Sequence, residues 1–429
     1  MIPVNKLKKK TFLVYGLGLT GRSVVNFFKK NKIKNFKVWD EVNKQILKKK
    51  RPSNLKNFLK EVDYIILSPG ISLIKSKNKN YLSKYKNKII TDIDLIFLFK
   101  KFSKSIFVTG TNGKSTTCKI IAHILKKSKF KILLGGNIGT PILSLKIKKN
   151  SILIIEASSF QLAYSKYINP DYAILLNITN DHLDWHGSMQ NYINSKFKIF
   201  ESQKSHQYSI VNHDLKSQFK KRKLQGKLII PHLKDYFKIK HQIKNSYLRS
   251  DINDENMTAI LSLLKILRIN KKTFLNSLKS FKGLPHRYEI FYKKKNCLFI
   301  NDSKATSFQA TKFALKNTKN TYWIVGGLPK LRDRLTLKNL KKNIIKSYLI
   351  GKNINFFEKQ IRNYKIKYAI TKNLKNSIIQ ILKDVKLSNK KNKSILLSPA
   401  SASYDQFLNF EKRGNEFKRL SKFYARKFI

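Results

Sequence analysis

Glycine constrains this chain more than any other residue. It occurs 16 times in 429 residues, about half the ~7 % usual in globular proteins. Ten of the sixteen fall in four short clusters: Gly16, Gly18 and Gly21; Gly110 and Gly113; Gly135, Gly136 and Gly139; Gly326 and Gly327. Glycine is required where φ is positive or where a backbone must approach a ligand closely. Each cluster follows a short apolar run, so the chain keeps glycine at the ends of expected strands and little elsewhere.

Around those clusters, short apolar runs alternate with helical patterns, the signature of α/β units with parallel sheets. The pattern predicts strands at 12–15, 36–39 and 64–67 in a first block, with a helix from about Thr20. A second block has predicted strands at 106–108, 132–134, 152–155 and 173–176, and closes near Gly283-Leu284-Pro285. Predicted strands at 298–300, 322–325, 348–350 and 395–397 make a third. The length alone exceeds one ordinary core. Three domains are expected: 1–92, Rossmann-like; 93–284, a central phosphate-loop ATPase-like domain with a parallel or mixed sheet; and 285–429, a second Rossmann-like unit.

Hydrophobic residues make up 41 % of the chain, enough for packed interiors and against wholesale disorder. The best apolar run, Asp94-Leu95-Ile96-Phe97-Leu98-Phe99, stops at Lys100, short of the roughly 18 residues of a membrane-spanning helix. Basic residues before Thr11–Tyr15 resemble the start of a signal peptide, but a glycine-rich turn opening a helix follows. Cys118 and Cys297 make neither a disulfide framework nor a zinc site. A cytoplasmic protein without a membrane partner is expected. The formal charge of +66 raises the question of nucleic acid. The lysines run evenly, without an arginine-rich stripe or a basic tail, so compositional bias is the reading adopted and no nucleic-acid partner is expected. A positive surface still favours anionic substrates.

Five segments carry chemistry. Gly16-Leu17-Gly18-Leu19-Thr20-Gly21 lies between a strand and a helix, where backbone N–H groups can meet a pyrophosphate. Asp40 ends the next strand, about 20 residues on, where a ribose-binding acid belongs. Alone, this fits a dehydrogenase. Val108-Thr109-Gly110-Thr111-Asn112-Gly113-Lys114-Ser115-Thr116 is a second phosphate loop, which a dehydrogenase does not need. Lys114 is placed to neutralise the β- and γ-phosphates, and Ser115 or Thr116 offers a hydroxyl to Mg²⁺. Glu156 closes the apolar strand at 152–155, the usual magnesium position in sheets that handle nucleoside triphosphates. His182 follows another strand among acids, in a stretch that runs on to Tyr192-Ile193-Asn194-Ser195-Lys196, and suits metal or phosphate contact. Last, Asn301-Asp302-Ser303-Lys304-Ala305-Thr306, Gly326-Gly327-Leu328-Pro329-Lys330 and Ser398–Ser403 each end a strand, and should converge on one sheet edge.

With these motifs in order, the sequence resembles the Mur ligase family over essentially its whole length. Gly110–Thr116 is similar to the family's short ATP loop. Gly135-Gly136-Asn137-Ile138-Gly139 and Glu156-Ala157-Ser158-Ser159-Phe160-Gln161-Leu162 resemble its central signatures. The segment from Leu397-Ser398-Pro399-Ala400 to Phe417 is closest to the D-glutamate-adding branch. The resemblance implies ATP-dependent addition of D-glutamate to UDP-N-acetylmuramoyl-L-alanine through an acyl phosphate, in peptidoglycan synthesis, by a monomer. It replaces the dinucleotide reading of the first loop by a UDP grip through Leu19, Thr20 and Asp40. It implies further substrate contacts at Asn137 and Ser158, and magnesium, with two sites, at Ser115, Glu156, His182 and Lys196. Lys196 is implied to be carbamylated, since an ammonium repels Mg²⁺ and a carbamate supplies an anionic oxygen. Asn256 and Asp302 are implied for adenine or ribose, and Arg287 for the ATP phosphates. Lys304, Thr306, Lys330, Ser403 and Phe410 are implied for D-glutamate. Three positions depart from the family pattern: Val42 stands for an arginine facing UDP, Ile252 for a histidine, and Ser401 for a cysteine.

Overall fold

A computed structural model describes residues 4–429 other than 44, 46, 138, 331 and 332. Ile138, within the expected 135–139 signature, therefore lies outside the described residues. The chain divides into two compact units, Met1–Phe281 and Lys282–Ile429. The first contains two sheets. Strands β1 (Phe12–Tyr15), β2 (Phe36–Trp39), β3 (Tyr64–Leu67) and β4 (Ile89–Ile90) form a parallel sheet in the order β2-β1-β3-β4. Strands β5 (Lys104–Thr109), β6 (Ile132–Gly136), β7 (Ile152–Glu156), β8 (Tyr172–Leu175), β9 (Tyr208–Val211) and β10 (Lys227–Ile229) form a second, also parallel, ordered β10-β9-β8-β5-β7-β6. In the second unit, β11 (Glu289–Lys294), β12 (Cys297–Asn301), β13 (Thr321–Gly326), β14 (Ile344–Ile350), β15 (Tyr368–Lys372) and β16 (Lys393–Leu397) are ordered β11-β12-β16-β13-β14-β15. Only the β11–β12 pair is antiparallel.

The central strands are continuous apolar runs because both faces are covered, as parallel sheets require. Every residue of β1, β7, β13 and β16 is buried. In the second sheet, β5 lies between β7 and β8, so the chain leaves it to either side. That reversal opens a crevice at the carboxyl ends of the strands. The α/β class and the predicted strands are borne out. Strands β4, β9, β10, β11 and β15 add to those expected; β4 and β10 have only two and three residues, which weakens a periodic signal.

The apolar run 94–99 belongs to the helix Asp92–Phe99, with seven of its eight residues buried. One continuous core takes in side chains from the first sheet, this helix and the second sheet, including Phe12, Ile66, Ile93, Leu95, Phe107 and Ile155. Two acids at the start of the helix are buried with it. Asp94 caps the helix through Thr91 and accepts the backbone N–H groups of Lys166 (2.9 Å) and Tyr167 (2.7 Å). Asp92 accepts Gln161 Nε2 at 3.2 Å. Asp92 thus holds the helix Ser159–Tyr164 and Asp94 the loop that follows it. Among the described residues, no helix is long and apolar enough to cross a membrane.

Burial, with Asp94 adding to it, pushes the Asp92 carboxyl up to about 6. The folded protein then keeps a proton that the unfolded chain releases near pH 3.9. Stability is fullest below about pH 4 for this group and falls as pH rises through 6. Asp92→Asn should therefore be more stable than the wild type above pH 7, by up to roughly 3 kcal/mol, with the gap closing near pH 4. Urea titrations at the two pH values measure it; a gap independent of pH would contradict the assignment.

Candidate active site

The phosphate loop rises from β5 and opens the helix Lys114–Lys127. Gly113 is at φ +83°, and a Cβ there would lie 2.0 Å from Asn256 Oδ1. This close approach explains the glycine, and brings Asn256, on the helix Asp254–Ile266, against the loop. The loop backbone is pinned from beside β8. Thr111 N donates to Asn177 O (2.9 Å), and Asn112 N to Asn177 Oδ1 (2.8 Å). Asn177 in turn donates to Glu255 Oε2 at 3.1 Å. Glu255 also lines a cavity of about 270 Å³ with Leu175, Leu176, Ile210, Asn212 and Ala259. Lys114 Nζ lies over the loop, donating to the carbonyls of Gly110 and Thr111 at 2.8 Å each. Ser115 and Thr116 are buried in the first helical turn.

Lys196, on the helix Met189–Glu201, reaches the same loop. It is 1 % exposed, and its Nζ donates to Gly110 O at 2.7 Å. Burial, then the Lys114 charge, pushes its pKa well down, with Asp181 pulling the other way. One turn earlier on the helix, Tyr192 lies with its ring 4.6 Å below the Lys196 ammonium and its hydroxyl 2.9 Å from Thr111 Oγ1. Its ring is also 6.5 Å from that of His182. Tyr192 thus links the loop, Lys196 and His182, a role its i, i+4 spacing to Lys196 could have signalled. His182 opens the short helix Leu183–His186 at φ +54°, packs on Phe160 at 4.7 Å and lies 3.5 Å from Asp181 Oδ2.

Glu156 ends β7 beside Gly136 of β6, where a Cβ would meet Glu156 O at 2.4 Å. The Glu156 carboxylate is buried. Oε1 accepts Asn137 Nδ2 at 3.0 Å, while Oε2 has no hydrogen-bond partner among the described residues. A buried, unsatisfied carboxylate oxygen is costly unless a cation or donor completes it. That orphan fits a magnesium ion. Among the described residues, no three His, Cys, Asp or Glu side chains are preassembled as a metal cage. This suits Mg²⁺, which takes one or two carboxylates and fills its remaining positions with water and phosphate oxygens. Ser158 caps the helix Ser159–Tyr164 through Gln161 N at 3.2 Å.

At the first sheet, Gly16 has φ +92°, and a Cβ on Gly21 would lie 1.8 Å from Gly16 O. Leu19 and Thr20 begin the helix Leu19–Lys30, Leu19 exposed and Thr20 half-buried. Asp40 binds its own surroundings: Leu17 N (2.7 Å), Val42 N (3.0 Å) and Asn43 N (2.8 Å) all donate to it. Burial opposes its charge, but these N–H groups and Arg51 hold its carboxyl below the usual range. Val42 is 94 % exposed. Arg51 lies nearby, 3.7 Å over the Trp39 ring and with its Nη1 3.4 Å from Asp40 O. Sequence spacing did not reveal Arg51, because a turn intervenes.

In the second unit the three expected loops do meet. Ser398 Oγ donates to Asp302 Oδ2 (2.7 Å), Gly326 N to Pro399 O (3.0 Å) and Ser401 Oγ to Gly326 O (2.6 Å). Gly327 is needed because a Cβ would strike Ser401 Oγ at 2.4 Å. Asp302 also accepts Tyr288 N at 3.1 Å, and burial pushes its carboxyl up to about 7. Arg287 stands between His286 and Tyr288, both at positive φ (63° and 45°), a strained turn of the kind found at ligand clamps. Lys304 Nζ lies 4.0 Å over the Phe410 ring. Ser403 is buried, Thr306 half-buried and Lys330 exposed. Arg413, which the sequence marks only as part of the stretch Arg413-Gly414-Asn415-Glu416 that follows the third loop, is buried among these loops.

A parallel sheet with a short phosphate loop, joined to further nucleotide-type sheets, is the fold of ATP-using Mur ligases. The structure is similar to MurF ligase from Thermotoga maritima in complex with ADP (TM-score 0.58, 17 % identity, 99 % of each chain). It is likewise similar to UDP-N-acetylmuramate–alanine ligase MurC from the same organism (TM-score 0.56, 16 % identity, 97 % of this chain and 100 % of the other). The family model for the Mur ligase middle domain matches residues 108–261, and that for the Mur ligase MurD-like N-terminal domain residues 10–90. This chain belongs to the Mur ligase family. Proteins named UDP-N-acetylmuramoylalanine–D-glutamate ligase are similar to it throughout. That of Buchnera aphidicola subsp. Schizaphis graminum is 38 % identical over 96 % of this chain and 98 % of its own. That of Rickettsia felis is 35 % identical over 98 % of each.

Gly113→Ala places a methyl against Asn256 at a positive φ. It should weaken ADP binding by on the order of 100-fold, for a strain of a few kcal/mol. Calorimetric titration with ADP measures this, and unchanged affinity would contradict the close packing.

Proposed function

We propose that this chain is the ATP-dependent ligase that joins D-glutamate to UDP-N-acetylmuramoyl-L-alanine, forming ADP and phosphate, in the cytoplasm and as a monomer. The observation that carries the reading is the end-to-end similarity to ligases of that name, together with Lys114, Lys196 and the phosphate loop assembled on one carbonyl. The division into 1–92, 93–284 and 285–429 follows the three substrates: UDP, ATP and amino acid.

A carboxylate is a poor electrophile, since its charge repels an amine and it lacks a leaving group. The terminal phosphoryl of ATP moves to the L-alanine carboxylate, with ADP leaving. The D-glutamate amine then attacks the acyl carbon of this acyl phosphate. Phosphate departs, and the amine gives up a proton. The N–H groups of Gly113–Thr116, at the start of the helix, hold the transferring group, and Lys114 neutralises charge that grows on it. Ser115, Glu156, His182 and Lys196 would hold magnesium. Bound there, the metal would offset phosphate charge. Carbamylation of Lys196 replaces one of two ammonium groups crowded on Gly110 O by an anion. Asn256, Arg287 and Asp302 are assigned to the nucleotide. Leu19, Thr20 and Asp40 are assigned to UDP, with Asn137 and Ser158 toward the muramoyl group. Lys304, Thr306, Lys330, Ser403 and Phe410 are assigned to D-glutamate.

Phosphate release from ATP with UDP-N-acetylmuramoyl-L-alanine and Mg²⁺ should depend on D-glutamate, with the product heavier by one glutamyl unit. Release with L-glutamate alone overturns the pocket assignment, and release with neither points to a sister ligase. Lys196→Met should lower kcat by on the order of 10²–10³-fold. Native mass spectrometry should find one CO₂ on the wild-type chain and none on the variant; a wild type without it removes the carbamate.

A further inference from the structure

The amino-acid loops of the second unit are tied together by one side chain to which the family reading gives no role. Arg413 lies in the first turns of the helix Phe410–Phe428 and is 1 % exposed. Its Nε donates to Ser303 Oγ (3.0 Å), and its Nη2 to Ser303 O and Ser401 O (2.9 Å each). Nη1 lies 3.4 Å from Ala402 O. Ser303 Oγ passes the tie on, donating to Phe410 O at 2.9 Å.

All four acceptors are uncharged oxygens. A buried guanidinium is normally paired with a carboxylate, because its desolvation is otherwise hard to offset. Asp405 is the acid that acts on Arg413 through space, and its Oδ2 is already engaged by Lys352 N at 3.0 Å. Burial pushes the Arg413 pKa down to about 10, which leaves it charged at neutral pH. Every atom it holds lies within two residues of one assigned to the amino acid. Ser303 precedes Lys304, Ser401 and Ala402 precede Ser403, and Phe410 O is reached through Ser303. The Lys304–Phe410 cation–aromatic pair, at 4.0 Å, is therefore fixed from both sides.

We infer that Arg413 is a positioning residue for the dicarboxylate amino acid, holding the loops of Lys304, Ser403 and Phe410 in register and lending them a positive charge without a bound counter-ion. The inference rests on the proposed reaction. It requires Arg413 to govern recognition of D-glutamate and not of the other two substrates. A lysine there returns the charge without the planar fork that spans three carbonyls.

Phosphate release measured against each substrate in turn tests it with Arg413→Met, Arg413→Lys and Ser303→Ala. Arg413→Met should raise KM for D-glutamate by on the order of 10- to 100-fold, with KM for ATP and for the UDP-linked substrate unchanged. Arg413→Lys should recover part of the loss. Ser303→Ala, which removes the Nε acceptor and the relay to Phe410 but leaves the carbonyl contacts of Arg413 in place, should give a smaller rise of the same kind. If Arg413→Met does not fold, the lysine and Ser303 variants carry the test. An unchanged KM for D-glutamate in the folded variants, or an equal rise for all three substrates, overturns the inference. A wild type that releases no phosphate with D-glutamate refutes the proposed reaction itself; an active wild type with insensitive variants refutes only the role of Arg413.

Discussion

The carbonyl oxygen of Gly110 accepts hydrogen bonds from two ammonium groups, those of Lys114 and Lys196. Two like charges sharing a buried acceptor repel each other strongly, because little water screens them. Burial and the Lys114 charge push the Lys196 pKa well down, and in the proposed reaction a triphosphate and a carbamate would relieve the repulsion. Much of the second sheet serves this point. Strand β5 delivers the loop, the helix Met189–Glu201 delivers Lys196 and Tyr192, and Asn177 pins the loop from beside β8. Glu156, with its orphan oxygen, ends the neighbouring strand.

The second unit solves a related problem with the signs arranged differently. A single guanidinium whose hydrogen-bond acceptors are all uncharged oxygens holds two loop ends by the carbonyls of Ser303, Ser401 and Ala402. Backbone carbonyls are good partners for such a charge because they leave its net positive field in place for an anionic ligand. The first sheet shows the reverse economy, with Asp40 spent on backbone N–H groups and Arg51 stacked on Trp39 beside it. Each ligand surface is thus shaped by a charged side chain that serves the backbone first.

The surface charge of +66 has a weaker hold on structure. Most ion pairs are between exposed or half-exposed side chains, such as Lys75–Asp184 and Lys265–Asp235, and pairs of this kind contribute only about 0–1 kcal/mol. Stability rests instead on the apolar core that joins the first two sheets through the helix Asp92–Phe99. The same helix carries two buried acids whose burial sets a pH-dependent cost.

The sequence by itself determined the α/β class, the strand ends and the phosphate loop. Glycine at positive φ and unbroken apolar runs are local requirements, written at the positions that need them. It also marked Lys114, Glu156, Asp302 and Lys304 as residues to watch, because each follows such a strand end, while Lys196 was marked only by the family resemblance. Tertiary structure alone decided which distant groups meet. Asn256 against Gly113, Tyr192 between Thr111 and Lys196, Arg51 over Trp39, and Arg413 among Ser303, Ser401 and Phe410 all join segments separated by turns or whole strands. Apart from the i, i+4 step from Tyr192 to Lys196, only the chain's path through space sets those distances, so no spacing in the sequence records them.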